Sequence, residues 1–349
     1  MFGFGSSKSV VGLDIGSSSI KAVELKKVKG EIQVAHLGVE RLGSDIVVDS
    51  MIVDSGSVSS AISKLFSDRK FGSKLVATAV SGHSVIVKKI SMQTVPENEV
   101  PELLQTEAAQ YIPFDMNDVN IDYQVLSEDP NEPQMDVLLA AVKKDKILNY
   151  TNVLSLAGKI PEVVDIDAFA LQNCYEYNYE PSPTSTVALL NIGASVMNIN
   201  IVKGSTPLFT RDVSVGGNQY TDSLQKELDL SFDDAEALKM GETNGKVSPD
   251  AKLPILKQVT EIIVLEIQKT FDFFRATAAG QHIEKIYLAG GSSAVPGLTE
   301  ALRQEFSMPV EILNPFQRIH ANGAGDLVGQ NAGQLAVAVG LALRSFESL

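Results

Sequence analysis

Between Asp14 and Lys21 the chain places a carboxylate, a glycine, three serines and an ammonium group, all inside the stretch Val10 to Leu25. Two apolar, β-branched runs, 10–15 and 20–25, flank the small polar insert Gly16 to Ser19, the pattern of two strands joined by a turn. Gly16 lets a ligand come close to the main chain. Ser17, Ser18 and Ser19 add hydroxyls beside a row of backbone N–H groups, and together these form a concavity suited to phosphate. Asp14 ends the first strand beside that concavity, so a bound phosphate there calls for a cation. Mg2+ held through its waters answers the need, since it takes one or two carboxylates together with phosphate oxygens. Lys21 is a further counter-charge. The same residues also fit a plain surface hairpin whose Asp and Ser satisfy only local turn bonds.

A second copy of the pattern changes the weight of the first. Val187 to Val202 repeats strand, polar residue, Ile-Gly, small residues and strand, so that Asp14-Ile15-Gly16-Ser17-Ser18 aligns with Asn191-Ile192-Gly193-Ala194-Ser195. Copies this far apart suit a duplicated domain rather than a short repeat. Two such hairpins facing each other across a cleft resemble the actin-like ATPase superfamily.

That resemblance extends to further motifs in order. Ile286 to Leu298 is similar to the superfamily's adenosine motif, a strand leading into Gly290-Gly291-Ser292-Ser293, with a helix beginning near Gly297. Val164 to Gln172 and Asn331 to Leu341 resemble its two connecting helices, both rich in small residues for close packing at a hinge. Gly216-Gly217-Asn218 and Glu236 to Lys239 resemble the elements that touch phosphate and the ribose or adenine. The resemblance implies an α/β duplicated actin-like (ribonuclease H-like) fold, two domains around a nucleotide cleft, with ATP and Mg2+ as cofactors. It assigns nucleotide contacts to Asp14, Gly16, Ser17, Ser18, Ser19, Lys21, Asn191, Gly193, Ala194, Ser195, Gly216, Gly217, Asn218, Glu236, Lys239, Gly290, Gly291, Ser292 and Ser293. Asp14 and Asp165 would hold Mg2+ through water. Relatives that hydrolyse ATP usually carry aspartate where this chain has Asn191, whose amide cannot accept a proton; slow hydrolysis is the expectation.

These motifs need two domains to position them, and 349 residues suffice for two cores. A formal charge of −14 argues against nucleic acid or an anionic membrane as the main partner. The single cysteine, Cys174, excludes an intramolecular disulfide and reads as a buried small side chain on a helix from Ala168 to Tyr177. The beginning Met1-Phe-Gly lacks a signal peptide's apolar core, and no apolar run reaches the ~18 residues of a spanning helix, so a cytoplasmic protein is expected. His36, His83, His282 and His320 show no zinc-ligand spacing.

In the first half, strands are expected between Lys27 and Val48 and at Leu75 to Ser84, with an amphipathic helix from Val58 to Phe66. Then follows a strand (84–90), a helix carrying Val100, Leu103, Leu104 and Ala108, a strand (121–126), a proline-containing loop (128–134), a strand (136–142) and a helix (144–157). This reads as a separate inserted module. In the second half, Pro207 to Val215 reads as a strand, Leu224 to Ala237 and Leu253 to Phe274 as helices, and Met240 to Ala251 as a polar surface loop.

An insertion in this position resembles the FtsA-like branch. Gln105 to Phe114, ending Tyr111-Ile112-Pro113-Phe114, is similar to the type IV pilus assembly family PilM, and an FtsA-like chain would be expected to end in a basic amphipathic membrane helix that this one lacks. The implied division is 1–84 with 161–184 and 334–349; the module 85–160; 185–215 with 278–333; and 216–277. The implied partner is the cytoplasmic N-terminal peptide of the membrane protein PilN, with pilus assembly or retraction ATPases and the platform protein as further contacts, and the membrane reached only through them. A groove for that peptide is expected along Val85, Ile86, Val87, Tyr111, Ile112, Phe114, Ile166 and Ala170, with Glu107, Asp115 and Asp118 drawing a basic residue. The same aromatics also suit the module's own core. Two other readings stand beside the assembly factor: an FtsA-like division scaffold, and a small-molecule kinase, for which the sequence offers no aspartate convincingly placed as general base.

Overall fold

A computed structural model describes residues 9–126, 133–242, 247–278, 280–321 and 331–346. The extreme N-terminus, most of the loop at 128–134, part of the loop at 240–251 and the last three residues lie outside them.

Two five-stranded sheets of one design dominate. In the first, β1 (Val11–Ile15), β2 (Ser19–Val28) and β3 (Glu31–Arg41) form an antiparallel meander. The short strands β4 (Val47–Val48) and β5 (Met51–Ile52) pair separately, and helix α1 (Ser55–Asp68) follows, capped by Asp54, whose carboxylate accepts from Ser57 N. β6 (Leu75–Val80) then returns parallel to β1. The inserted module comes next: β7 (Val85–Gln93), α2 (Val100–Ala108), β8 (Val119–Val125), β9 (Gln134–Lys143) and α3 (Lys144–Leu156). β7 and β8 flank β9 in an antiparallel sheet of their own. β10 (Ile160–Ile166) rejoins the first sheet beside β6, giving the order β10-β6-β1-β2-β3.

Helix α4 (Asp167–Tyr179) leads to the second sheet, where β11 (Thr186–Ile192), β12 (Met197–Lys203) and β13 (Thr206–Val213) repeat the meander. After α5 (Asn218–Leu228), α6 (Phe232–Lys239) and α7 (Pro249–Thr277), β14 (Lys285–Ala289) pairs parallel to β11. α8 (Leu298–Phe306) and β15 (Val310–Ile312) complete the order β13-β12-β11-β14-β15, and α9 (Ala336–Leu343) closes the described chain against β1.

Packing explains why small residues were needed. α4 and α9 lie between the two sheets, and their residues share one core with side chains from both. A Cβ on Gly340 would stand 1.7 Å from the Ala170 carbonyl oxygen, and one on Gly12 would stand 2.1 Å from Ala338 O. The backbones therefore touch, which no larger residue permits.

Two expectations need correction. Leu224 to Ala237 is not one helix: Asp229 adopts a left-handed conformation (φ 51) and ends α5, and Ser231 restarts α6 by accepting from Asp234 N. The last helix of the module also divides differently. Tyr150, Val153 and Leu154 of α3 pack into the first-sheet core with Val58 and Ile62, while the module's own core is built from β7, β8, β9 and α2.

Because the α4–α9 contact is backbone on backbone, Gly340→Val is expected to cost more than the ~1–3 kcal/mol of ordinary overpacking. The check is a urea melt with a lowered midpoint and an unchanged slope.

Candidate functional site

The turns joining β1 to β2 and β11 to β12 close in the same way. Gly16 N donates to Ser19 O (3.1 Å), and Gly193 N donates to Val196 O (3.0 Å). The two turns meet across the cleft through a hydrogen bond from the Ser195 hydroxyl to that of Ser17. Register then fixes which side chains stand beside each turn. Asp14 lies directly opposite Lys21, and their side chains pair at 3.0 Å. At the equivalent position Asn191 lies opposite Asn198 and donates through Nδ2 to its Oδ1 at 2.8 Å.

Around these turns is a cavity of about 340 Å3, at the small end of the usual ~300–1,000 Å3 range for ligand sites. Its lining brings together Asp14, Gly16, Ser17, Ser18, Ser19, Lys21, Asn191, Gly193, Ala194, Ser195, Asn218, Glu236, Lys239, Gly290, Gly291 and Ser292. Gly216, Gly217 and Ser293 do not line it. The glycine pair lies beneath the second turn, where Gly217 N donates to Gly193 O (2.9 Å) and Asn218 N to Ala194 O (2.8 Å). A Cβ on Gly217 would fall 2.2 Å from Ser292 Oγ. Ser293 is buried and spends its hydroxyl on Gly290 O.

Asp165 is also absent from the lining. It sits in β10, where its carboxylate pairs with Arg344 at 3.7 Å. The acid that reaches the cavity is Asp167, two residues on, at the first turn of α4. Desolvation, then the charge of Asp14, push its carboxyl up to about 7, against a lowering hydrogen bond from Ser81. Sequence reasoning missed it because Asp165 and Asp167 bracket the strand–helix junction, and an uncertainty of two residues there exchanges them. Phe232 and Met240, both exposed into the cavity at the ends of α6, were missed as well. An exposed apolar residue beginning a helix with an acidic first turn was the available signal.

Lys239 is 5% exposed, bonded to Glu236 (2.5 Å) and to Thr221 Oγ1 (3.1 Å). Beneath the cavity floor, Lys146 of α3 is 1% exposed and donates to Ser50 O, which also accepts from the Tyr150 hydroxyl at 3.0 Å. Desolvation drives the Lys146 ammonium down to about 8, opposed by the charges of Asp167, Asp212 and Asp145.

The donor set suits a nucleotide. Among the described residues, Asn331 Oδ1 is buried with no hydrogen-bond partner and belongs to a residue lining the cavity beside Gly291, an acceptor available to an amino group. Gly291 leaves open space where a Cβ would stand. No group of three or more His, Cys, Asp or Glu that could hold a metal occurs among the described residues. Asp14 with Asp167 instead fits Mg2+ held mainly by water and phosphate.

The expected groove changes more. Ala170 is fully buried under Gly340, and Ile166 lies in the first-sheet core, so neither is open to a peptide. Ile112 is 5% exposed inside the module core. Val85, Ile86 and Val87 are half-buried, as are Tyr111 and Phe114, whose rings carry Lys88 (5.6 Å) and Lys143 (4.5 Å) above them.

Two sheets of one strand order, each turning a glycine hairpin into a shared cavity, define a two-domain actin-like fold. The family profile described as Type IV pilus assembly protein PilM matches residues 12–346. The chain belongs to that family. A solved PilM-PilN type IV pilus biogenesis complex contains a chain 25% identical, with a TM-score of 0.87, covering 97% of this chain and 99% of that one. The cell division protein FtsA of Streptococcus pneumoniae is 25% identical over 350 residues, 88% of this chain and 75% of FtsA. The ethanolamine utilization protein EutJ of Escherichia coli is 28% identical over 118 residues, where the match spans 34% of this chain and only 38% of EutJ. MreB 5 of Spiroplasma citri, solved with AMPPNP bound, shares the fold at a TM-score of 0.54 and 13% identity, over 95% of this chain and 94% of that one. Among the described residues no helix is long and apolar enough to cross a membrane.

The folded state holds the Lys146 pKa near 8 against an ordinary 10.5. Between those values it has shed a proton that the unfolded chain keeps, so this group's contribution to stability rises with pH across the window and is lost as pH falls through 8. Relative to Lys146→Met, the parent is expected to gain about 3 kcal/mol from pH 8 to 10.5. Paired denaturant melts at both pH values read it.

Proposed function

We propose that the chain is an ATP-binding assembly protein of the type IV pilus machinery, acting at the inner membrane by docking the cytoplasmic tail of a PilN-type membrane protein. The observation that carries this is the likeness to the PilM-PilN complex over nearly the whole of both chains. In this reading the phosphates lie between the two hairpin turns, met by Gly16 to Ser19 and Gly193 to Ser195. The base lies toward Gly290 and Gly291, with Phe232 and Met240 as apolar contacts and Asn331 Oδ1 accepting from an exocyclic amino group. Lys21 and Lys239 offset phosphate charge from within their ion pairs. Asp14 and Asp167 would hold Mg2+ through water, and its chemistry would be to neutralise the phosphates. Asn191 cannot accept a proton, so the nucleotide serves to clamp the two domains rather than to be turned over.

For the partner, the surface kept is the module's Tyr111 and Phe114 with the half-buried start of β7. Glu107, Asp115 and Asp118 beside it would attract a basic residue of the tail. The FtsA likeness leaves a division scaffold as a second reading, distinguished by which tail is captured.

Calorimetry is expected to show Mg-ATP binding that Asp14→Ala and Asp167→Ala each weaken about tenfold or more, while Asp165→Ala leaves it nearly unchanged. A parent protein that binds no nucleotide overturns the assignment. Turnover is expected well below the ~1 per second of ordinary enzymes, and no phosphate should pass to sugars. Phe114→Ala is expected to weaken tail-peptide binding with Mg-ATP binding intact; Ile112→Glu, which buries a charge in the module core, should instead unfold the module.

A further inference from the structure

Asn191, at the cavity, is one end of a row that crosses three strands of the second sheet. Asn198 stands opposite it in β12, and Asp212 stands opposite Asn198 in β13. Asn198 Nδ2 donates to Asp212 Oδ1 at 2.7 Å, and Asn198 Oδ1 accepts from Asn191 Nδ2 at 2.8 Å. The other Asp212 oxygen leaves the domain altogether: it accepts from Gly82 N at 2.5 Å, across the cleft. Gly82 has φ +89, and its carbonyl accepts from Val85 N at 3.0 Å, so this turn between β6 and β7 is the root of the inserted module. Its neighbour His83 meets Ser214 Oγ at 3.2 Å, a second bond between the same two segments.

A carboxylate only accepts hydrogen bonds, whereas a primary amide both donates and accepts. With Asp212 at one end, Asn198 must turn its NH2 toward β13 and its oxygen toward Asn191. Asn191 must then spend its own NH2 on Asn198, which leaves its carbonyl oxygen for the cavity. We propose that Asp212 is a positioning residue: it fixes the polarity of this ladder, makes Asn191 present an acceptor to the nucleotide site, and ties that site to the root of the partner-docking module. The inference rests on the nucleotide reading of the cavity, and it supplies that reading with a route by which an occupied cleft alters the module.

Asn191→Asp sets acceptor against acceptor at Asn198. Adding Asp212→Asn reverses the whole ladder: Asp at 191 accepts from Asn198 Nδ2, Asn198 Oδ1 accepts from the new amide, and the new amide's oxygen still accepts from Gly82 N. In ligand-free protein, amide hydrogen exchange over residues 82–87 is expected to be at least threefold faster in Asn191→Asp and in Asp212→Ala. It should return close to the parent rate in the Asn191→Asp/Asp212→Asn pair, whose net charge equals the parent's. A pair no slower in exchange than Asn191→Asp alone overturns the proposal. If either single variant fails to fold, Asn198→Ala, which breaks the row at its middle, replaces it with the same expectation, and unchanged exchange there also overturns it. With Mg-ATP added, exchange in this turn should slow in the parent and stay unchanged in Asp212→Ala. A parent that binds no Mg-ATP sinks the nucleotide reading, while the ligand-free rescue still decides the ladder.

Discussion

The contact between α4 and α9 sets everything else. With Gly340 laid on the Ala170 carbonyl and Gly12 on that of Ala338, the two helices act as a thin spacer between two sheets. That separation lets Ser17 and Ser195, from hairpins far apart in the chain, share a hydrogen bond. A thicker spacer would part the turns and dissolve the cavity, so the need for small residues at the hinge and the need for a phosphate-sized gap are one constraint. The shared core takes side chains from both sheets, so the two domains are packed on each other at their base, and hydrogen bonds such as those of Ser195 with Ser17 and of Gly82 with Asp212 join them again across the cleft.

Electrostatics at the cleft follow from the hairpins' register. The first hairpin sets an acid opposite a base, and the second sets an amide opposite an amide. Asp14 spends part of its charge on Lys21, while Asp167 is pushed toward neutrality by burial and by Asp14. Two lysines that line the cavity are each held by a carboxylate nearby, Lys21 by Asp14 and Lys239 by Glu236. Such a site can receive a highly charged ligand with its cation without stranding a bare buried charge.

The inserted module is joined to this site at two places rather than one. Its last helix packs into the first-sheet core and delivers Lys146 and Tyr150 to the Ser50 carbonyl under the cavity. Its first strand starts from the turn that Asp212 holds. The module is thus anchored at both ends of its sequence, near the floor and near the wall of the same cleft.

Local sequence determined a great deal. The two hairpins, the glycine turn that follows β14, most of the small-residue helices (Val164 to Ile166 of the first belong instead to β10) and the strand and helix order of the module were legible, because each depends on residue type, spacing and turn chemistry within a few positions. The single helix expected from Leu224 to Ala237 failed at Asp229, where a left-handed residue that is not glycine leaves little trace in sequence. Asp167 in place of Asp165, and the burial of Ile166 and Ala170 instead of their lining a groove, were decided by which side of a strand–helix junction faces the cleft and by what packs on α4 from α9. The row Asn191–Asn198–Asp212 and its reach to Gly82 were decided by register between strands and by the distance between domains. Those are properties of tertiary packing, in which residues 130 positions apart come to share a hydrogen bond, and no pattern along the chain encodes them.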